Sequence, residues 1–169
     1  MSTTSDIPQI EKLTHLHEVK NFKCGENSLD LFIRRHALKN QLTDSSQTYV
    51  AHRNQVVIGY YTLVYGHISL DDCPPSIREG MPSFPVPVMV FARWAVHKNE
   101  QHKGIGRALL KDAFHRTAAA AEIGGLRAIL VDAINEKMVT EYKNLGFTEC
   151  PVGERKLMIP IQDVRASLV

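Results

Sequence analysis

Two continuous apolar runs, Val88–Val96 and Arg127–Ala133, bracket a glycine-rich turn and a long helical pattern, and this arrangement restricts the fold more than any other feature of the chain. An unbroken apolar run fits a strand buried on both faces. Between the runs, Gln101-His102-Lys103-Gly104-Ile105-Gly106-Arg107-Ala108 leads into Leu109, Leu110, Ala113 and Phe114 at helical spacing. The pattern predicts a helix over 105–122, ended by Gly124-Gly125. Strand, helix and strand in this order predict a βαβ unit with a parallel pair.

The flanking segments read less sharply. Leu29, Phe32, Ile33 and Ala37 recur at helical spacing and predict a helix over 28–42, with Asn27 as N-cap and Asp30 in its first turn. Gln47–His52 and Val56–Leu70 read as strands joined by a hairpin turn at Arg53-Asn54-Gln55. Asp71–Pro87 is proline-rich and without period, so it is expected to be a long connection, neither strand nor helix. Asn135–Leu145 reads as a helix stopped by Gly146. Phe147–Cys150 and Lys156–Ile161 read as closing strands, and Asp163–Leu168 as a small terminal helix.

Composition bounds the class. A chain of 169 residues is most simply one domain, with enough length for a substantial core. Its 22% charged and 44% hydrophobic residues are ordinary for a globular protein. Without a long apolar run, no membrane span is expected. Met1–Asp6 is polar and lacks a secretory core, so a short frayed leader is expected there. Cys24, Cys73 and Cys150 are scattered, which suggests inert thiols in a reducing cytoplasm rather than a disulfide framework. The eight histidines show no metal-ligand spacing, and no metal site is expected. A net charge of +2 is too small to establish a nucleic-acid partner. The cations do cluster, however, around Lys20, Lys23, Arg34, Arg35 and Lys39, and again at Lys98, Lys103, Arg107 and Lys111.

The turn at 101–107 has the chemistry of a phosphate site. Glycine brings backbone N–H groups close to a ligand, and a starting helix aims unpaired N–H groups and its positive dipole end at the same point. A Walker A string is absent, and the place of a third dinucleotide-loop glycine is taken by Leu109. The spacing Q-x-x-G-x-G instead resembles the acyl-CoA pyrophosphate loop of the GCN5-related N-acetyltransferases (GNAT), written R/Q-x-x-G-x-G/A. Val131-Asp132-Ala133-Ile134-Asn135 and Glu141-Tyr142-Lys143-Asn144-Leu145-Gly146-Phe147 resemble further signatures of that superfamily. A closer resemblance runs through Phe22-Lys23-Cys24-Gly25, Leu29-Asp30, Gly59-Tyr60-Tyr61-Thr62-Leu63, Pro85-Val86-Pro87-Val88 and Arg93-Trp94-Ala95-Val96. These segments look like the TacT-type acetyltransferase toxins.

The resemblance implies an α/β GNAT fold over 1–169. It would have a mixed central β-sheet flanked by helices and a splayed parallel strand pair at an acetyl-CoA site. It also implies acetyl transfer from acetyl-CoA to the α-amino group of aminoacyl-tRNA, a ribbon-helix-helix antitoxin partner, a homodimer and a cytoplasmic location. Trp94, Ala95 and Val96 would hold the pantetheine arm. Gln101, His102, Lys103, Gly104, Ile105, Gly106 and Arg107 would surround the phosphates, with Asn135 touching the arm. Tyr142 would be the general acid, because a phenol carries its proton at neutral pH. Arg93, Arg34, Arg35 and Lys39 would face the acceptor.

Each assignment has a plainer counterpart. Lys103 reads equally as a solvated loop lysine, Asn135 as a helix N-cap, Arg93 as half of an ion pair, and Tyr142 as a packed ring. His97 stands where relatives in the toxin group carry aspartate, and no carboxylate lies within Val88–His97, so a general base is not identified. Two other activities fit the same motifs: acetylation of a small amine or protein N-terminus, and non-catalytic acyl-CoA binding. The presence of Tyr142 weighs against the last.

Overall fold

The computed structural model describes residues 8–169, so the leader expected over Met1–Asp6 lies outside the described residues. Two units divide the chain: the part up to Val64 together with Ala92–Ala113, and Tyr65–Phe91 together with Phe114–Val169. Strands β3 (Val56–Ile68) and β4 (Val86–Val96) run through both.

In the first unit the strand order is β1-β2-β3-β4, with β1 (Gln9–Lys12) and β2 (Gln47–Arg53) antiparallel to their neighbours. The β2–β3 hairpin turns where the sequence predicts. Asn54 and Gln55 take left-handed φ values of 51° and 73°, and Arg53 pairs with Val56. Facing threonines at Thr48 and Thr62 satisfy each other's buried hydroxyls at 2.8 Å. Ala51 pairs with Gly59 and His52 with Val57, so Ile58 is the extra residue of a bulge. That bulge lets Val57 and Tyr60 join one core cluster with Phe22, Phe32, Ile33 and Val50. On the opposite side, helix α4 (Ile105–Ile123) comes so close that a Cβ on Gly59 would lie 2.9 Å from Leu109 Cδ1. Tyr61 donates its hydroxyl hydrogen bond to Asp112.

The helix expected over 28–42 forms, but not as one regular element. It is α-helical over Asn27–Leu31 (α1), π-helical over Phe32–His36 and α-helical again over Ala37–Leu42 (α2). Its N-cap is Glu26, whose side chain makes no capping bond, and Asn27 lies inside the helix. The expected cap fails because the amides of Leu29 and Asp30 both take the Glu26 carbonyl. The π stretch lets Phe32, Ile33 and Ala37 all reach the core.

In the second unit the order is β3-β4-β5-β7-β6. Val88–Val90 of β4 pairs in parallel with Ala128–Leu130 of β5 (Ala128–Asp132), the parallel pair that the βαβ pattern predicts. Strand β7 (Lys156–Pro160) is antiparallel to β5 and to the short β6 (Thr148–Glu149). Asp71–Pro87 is more ordered than expected: Pro75–Arg78 forms helix α3, and Val86 and Pro87 already belong to β4. Pro75 supplies a preset φ at the helix start, and Ile77 is fully buried. Arg127 then satisfies the helix-end carbonyls, donating from Nε to Ile77 at 3.1 Å and from Nη2 to Ser76 and Glu79 at 3.3 Å. Helices α5 (Glu136–Asn144) and α6 (Ile161–Ser167) complete this unit. Among the described residues, no helix is long and apolar enough to cross a membrane.

Candidate active site

The phosphate-type loop grows out of the end of β4. The His97 amide donates to the Ile58 carbonyl, and His97 Nδ1 accepts from the Asn99 amide, so this histidine shapes a single 3-10 turn at Lys98–Glu100. It is a strand-end residue in structure as well as in sequence. Gln101 then donates from Nε2 to two carbonyls, Val96 at 2.9 Å and Cys24 at 3.0 Å. His102 and Gly104 turn the chain through φ values of 65° and 87°. The Ala108 amide bonds the Gly104 carbonyl, the first intrahelical bond of α4. The amides of Ile105, Gly106 and Arg107 have no carbonyl one turn earlier in the helix and point outward at its positive end.

The two glycines have different roles. Gly104 adopts a backbone conformation that side chains resist, and no atom lies within 4 Å of where its Cβ would be. A Cβ on Gly106 would meet Trp94 and Val96 at an ordinary 3.6 Å. Trp94 Nε1 donates to the Gly106 carbonyl at 3.0 Å, which pins the first turn of α4 to the strand. Lys103 and Arg107 are exposed beside the loop, and Lys103 Nζ lies 3.5 Å from Glu100. Glu100 also pairs with Arg53, and mainly this bond holds its carboxyl below the usual carboxylate range. An open site of backbone amides with two exposed cations beside it fits a phosphorylated cofactor.

Arg93 rests on an aromatic face. Its guanidinium carbon sits 3.8 Å from the centroid of Phe32. Arg34 donates from both Nε and Nη2 to the Phe22 carbonyl, a backbone oxygen without a strand partner. Arg35 and Lys39 remain exposed, on the rim of an open groove of about 520 Å³ floored by Leu13, Val19, Ile33, Leu38 and Leu42.

In the second unit, the Tyr142 signature turns out to be a helix-ending device. The Phe147 amide bonds the Tyr142 carbonyl at 3.1 Å and the Gly146 amide bonds the Lys143 carbonyl at 3.1 Å. With Gly146 at φ 100°, these are the two bonds of a Schellman motif. Its accompanying apolar contact is Phe147 against Tyr142, edge to face at 5.2 Å. The glycine and phenylalanine of the signature thus fix the tyrosine between them. Burial pushes the Tyr142 phenol well above its ordinary pKa. Asn135 is the N-cap of α5, its Oδ1 accepting from the Met138 amide at 2.9 Å.

Sequence spacing did not point to one further cluster. Glu11 Oε1 lies 2.9 Å from Nε2 of both His17 and His52. A trio of this kind has the composition of a metal set. Its hydrogen bonding says otherwise. His17 Nδ1 accepts from the Thr14 amide and His52 Nδ1 from the Gln55 amide, which places each ring proton on Nε2, facing Glu11. The trio is a clamp of two neutral imidazoles on one carboxylate, tying β1 to the β2–β3 turn. The cysteines are unpaired, and burial pushes the Cys24 and Cys150 thiols up to about 11, which leaves them protonated and unreactive.

Comparison with known proteins agrees with this chemistry. The family model described as "Acetyltransferase (GNAT) domain" matches residues 44–149. The chain is 37% identical over 155 residues to a tRNA-acetylating toxin of Mycobacterium tuberculosis, covering 92% of this chain and 93% of that protein. Several solved structures resemble it in fold, and three of them bear on the site. AtaT complexed with acetyl-methionyl-tRNAfMet matches with a TM-score of 0.88 and 29% identity, over 96% of this chain and 99% of that one. AtaTR bound with AcCoA matches at 0.85 and 30%, over 97% and 99%. The AtaT–AtaR complex bound to DNA matches at 0.78 and 29%, over 95% and 99%.

Proposed function

This chain belongs to the GNAT acetyltransferase family, and we propose that it moves acetyl from acetyl-CoA to the α-amino group of an aminoacyl-tRNA, as a toxin that blocks translation. The observation that carries this reading is the loop from Gln101 to Arg107: left-handed at His102 and Gly104, open above Gly104, and set at the start of a 19-residue helix.

Acetyl-CoA would supply the activated thioester. The first-turn amides of α4, with Lys103 and Arg107, would take its phosphates. The strand end at Trp94, Ala95 and Val96 would line the pantetheine arm, and Asn135 would approach the same arm from α5. Tyr142 would donate a hydrogen bond, then its proton, to the sulfur as the thiolate leaves. The upward shift of its pKa keeps the phenol protonated across the working range. Arg93, Arg35 and Lys39 would meet acceptor phosphates, and Arg34 beside them also holds the Phe22 carbonyl.

The acceptor reading answers the missing base. His97 Nδ1 is already an acceptor for a backbone amide. A lysine amine, with a pKa of about 10.4, is almost wholly protonated at neutral pH, whereas an α-amino group near about 7.7–8.0 is partly neutral. An ester on the same carbon lowers that value further, so an aminoacyl ester needs little base. The proposal includes one catalytic domain over 1–169, a ribbon-helix-helix antitoxin that binds the toxin, a homodimer and action in the cytoplasm. Relatives of known structure, one with a bound tRNA, one with acetyl-CoA and one with an antitoxin, support the acceptor, cofactor and antitoxin parts of this reading.

The test incubates the purified protein with radiolabelled acetyl-CoA and a pool of charged tRNAs. Label on tRNA that base hydrolysis of the ester removes is the expected result. Equal or faster acetylation of a lysine peptide at neutral pH would overturn the acceptor reading.

A further inference from the structure

Residues Phe22–Gly25 form a short strap outside any helix or strand, and it is held unusually firmly. Three successive carbonyls accept bonds from three different places. Phe22 accepts from Arg34 Nε and Nη2, Lys23 from the Lys98 amide at 2.8 Å, and Cys24 from Gln101 Nε2 at 3.0 Å. The Cys24 amide donates to the buried carboxylate of Asp30 at 2.8 Å. The Phe22 ring is buried edge-on against Tyr60 and His97. Backbone oxygens without a strand partner need donors, and here each donor belongs to an element of the candidate site.

Lys98 and Gln101 lie on the turn that leads into the phosphate loop. Gln101 spans from the strap to Val96 at the end of β4. Arg34 lies in the π-helical stretch on the other side of the strap. A planar guanidinium with a fork of donors can hold one carbonyl from two nitrogens, which a lysine ammonium cannot do with the same rigidity.

We propose that Arg34 is a positioning residue for acetyl-CoA: by fixing the Phe22–Gly25 strap it fixes Gln101, and through Gln101 the phosphate loop. This rests on the reading of the loop as the acetyl-CoA site. Arg34 touches no cofactor atom in this scheme. Its removal lets the strap relax, Gln101 loses its second anchor, and the loop amides leave the directions in which they converge. Loss of this anchoring raises the Kd for acetyl-CoA by about tenfold, equivalent to about 1.4 kcal/mol.

The test measures acetyl-CoA affinity by titration calorimetry on the full-length protein, with steady-state kcat and KM and with thermal melting, for R34A, R34K, Q101A and R34A/Q101A. We expect R34A and Q101A each to raise Kd and KM for acetyl-CoA with kcat at saturation nearly unchanged, and R34K to fall between R34A and the parent. The double variant should bind no more weakly than Q101A alone, because both changes cut one path. Unchanged acetyl-CoA affinity in R34A together with weaker charged-tRNA binding would make Arg34 an acceptor contact and overturn the proposal. Additive losses would overturn it as well. If R34A does not fold, R34K decides: parental acetyl-CoA affinity would refute the strap. Failure of the parent protein to bind acetyl-CoA would instead refute the reading of the loop.

Discussion

Replacing each loop glycine with alanine should move stability in opposite directions. Gly104 has φ 87°, and no atom lies within 4 Å of the missing Cβ, so Gly104→Ala meets backbone strain and no clash. Holding an L-residue in this left-handed region costs about 1–2 kcal/mol. For a chain of this size, that lowers the melting temperature by roughly 2–8 °C. Gly106 lies within α4, and its new methyl would rest at 3.6 Å from Trp94 and Val96, an ordinary contact. Alanine is favoured over glycine in a helix by up to about 1 kcal/mol, so Gly106→Ala should raise the melting temperature by as much as roughly 2–4 °C. Differential scanning calorimetry of both variants measures the pair, and acetyl-CoA titration of the same samples adds the functional half. Gly104→Ala should weaken binding, and Gly104→Glu, which places a carboxylate among the phosphate donors, should abolish it. Equal melting shifts in both alanine variants, or a Gly104→Glu protein that binds acetyl-CoA as the parent does, would refute the assignment of the loop.

Three other expectations follow from single contacts. Tyr142→Phe should retain acetyl-CoA binding and lose about 10²–10⁴ in turnover on charged tRNA, the usual scale of a positioned proton donor; a variant as fast as the parent would remove Tyr142 from the chemistry. Gly59→Ala forces a methyl to 2.9 Å from Leu109 Cδ1 and should cost about 1–3 kcal/mol in urea denaturation, with alanine at the solvent-exposed Gly124 as a control. Glu11 has its carboxyl lowered first by the His17 hydrogen bond, so its stabilisation is present above the ordinary glutamate value of about 4.3 and disappears as pH falls through the lower folded value. Glu11→Gln should therefore flatten the acid limb of a melting-temperature profile, and an acid limb identical to the parent's would show the clamp to be idle.

The parts of the molecule legible in the sequence are those governed by near neighbours. The βαβ unit was readable because Val88–Val90 and Ala128–Leu130 lie in unbroken apolar runs and therefore pair in a buried register. Asn135 caps its helix, and Asn54 and Gln55 make their turn, through bonds and torsions internal to a few residues. What escaped depends on distant partners. The bond from Arg34 to the Phe22 carbonyl twelve positions away was not legible, because sequence shows the charge and not the bare oxygen. Arg93 read either as an acceptor contact or as half of an ion pair, and its stacking over Phe32 depends on a helix far earlier in the chain. Glu11, His17 and His52 have no common spacing; the β1–β2 register brings Glu11 beside His52, and the turn from Thr14 to His17 adds the second ring. The Tyr142 signature could be recognised as a pattern, but its physical content, a helix terminus that clasps the tyrosine with Phe147, needs the hydrogen bonds.

The π-helical stretch at Phe32–His36 makes this helix sensitive to phase. Each residue of an α-helix advances about 100° around the axis. Deleting one residue from the stretch would give a more regular helix by local criteria, yet everything beyond it would be turned by about that angle. Ala37, now fully buried, would leave the core, and Lys39 would swing away from the groove it borders. The local irregularity thus keeps two helical segments in different orientations about a common axis, one matched to the strap and Tyr60, the other to β2. Homologous chains that lack the extra residue should show a compensating shift in which positions of the following segment are apolar.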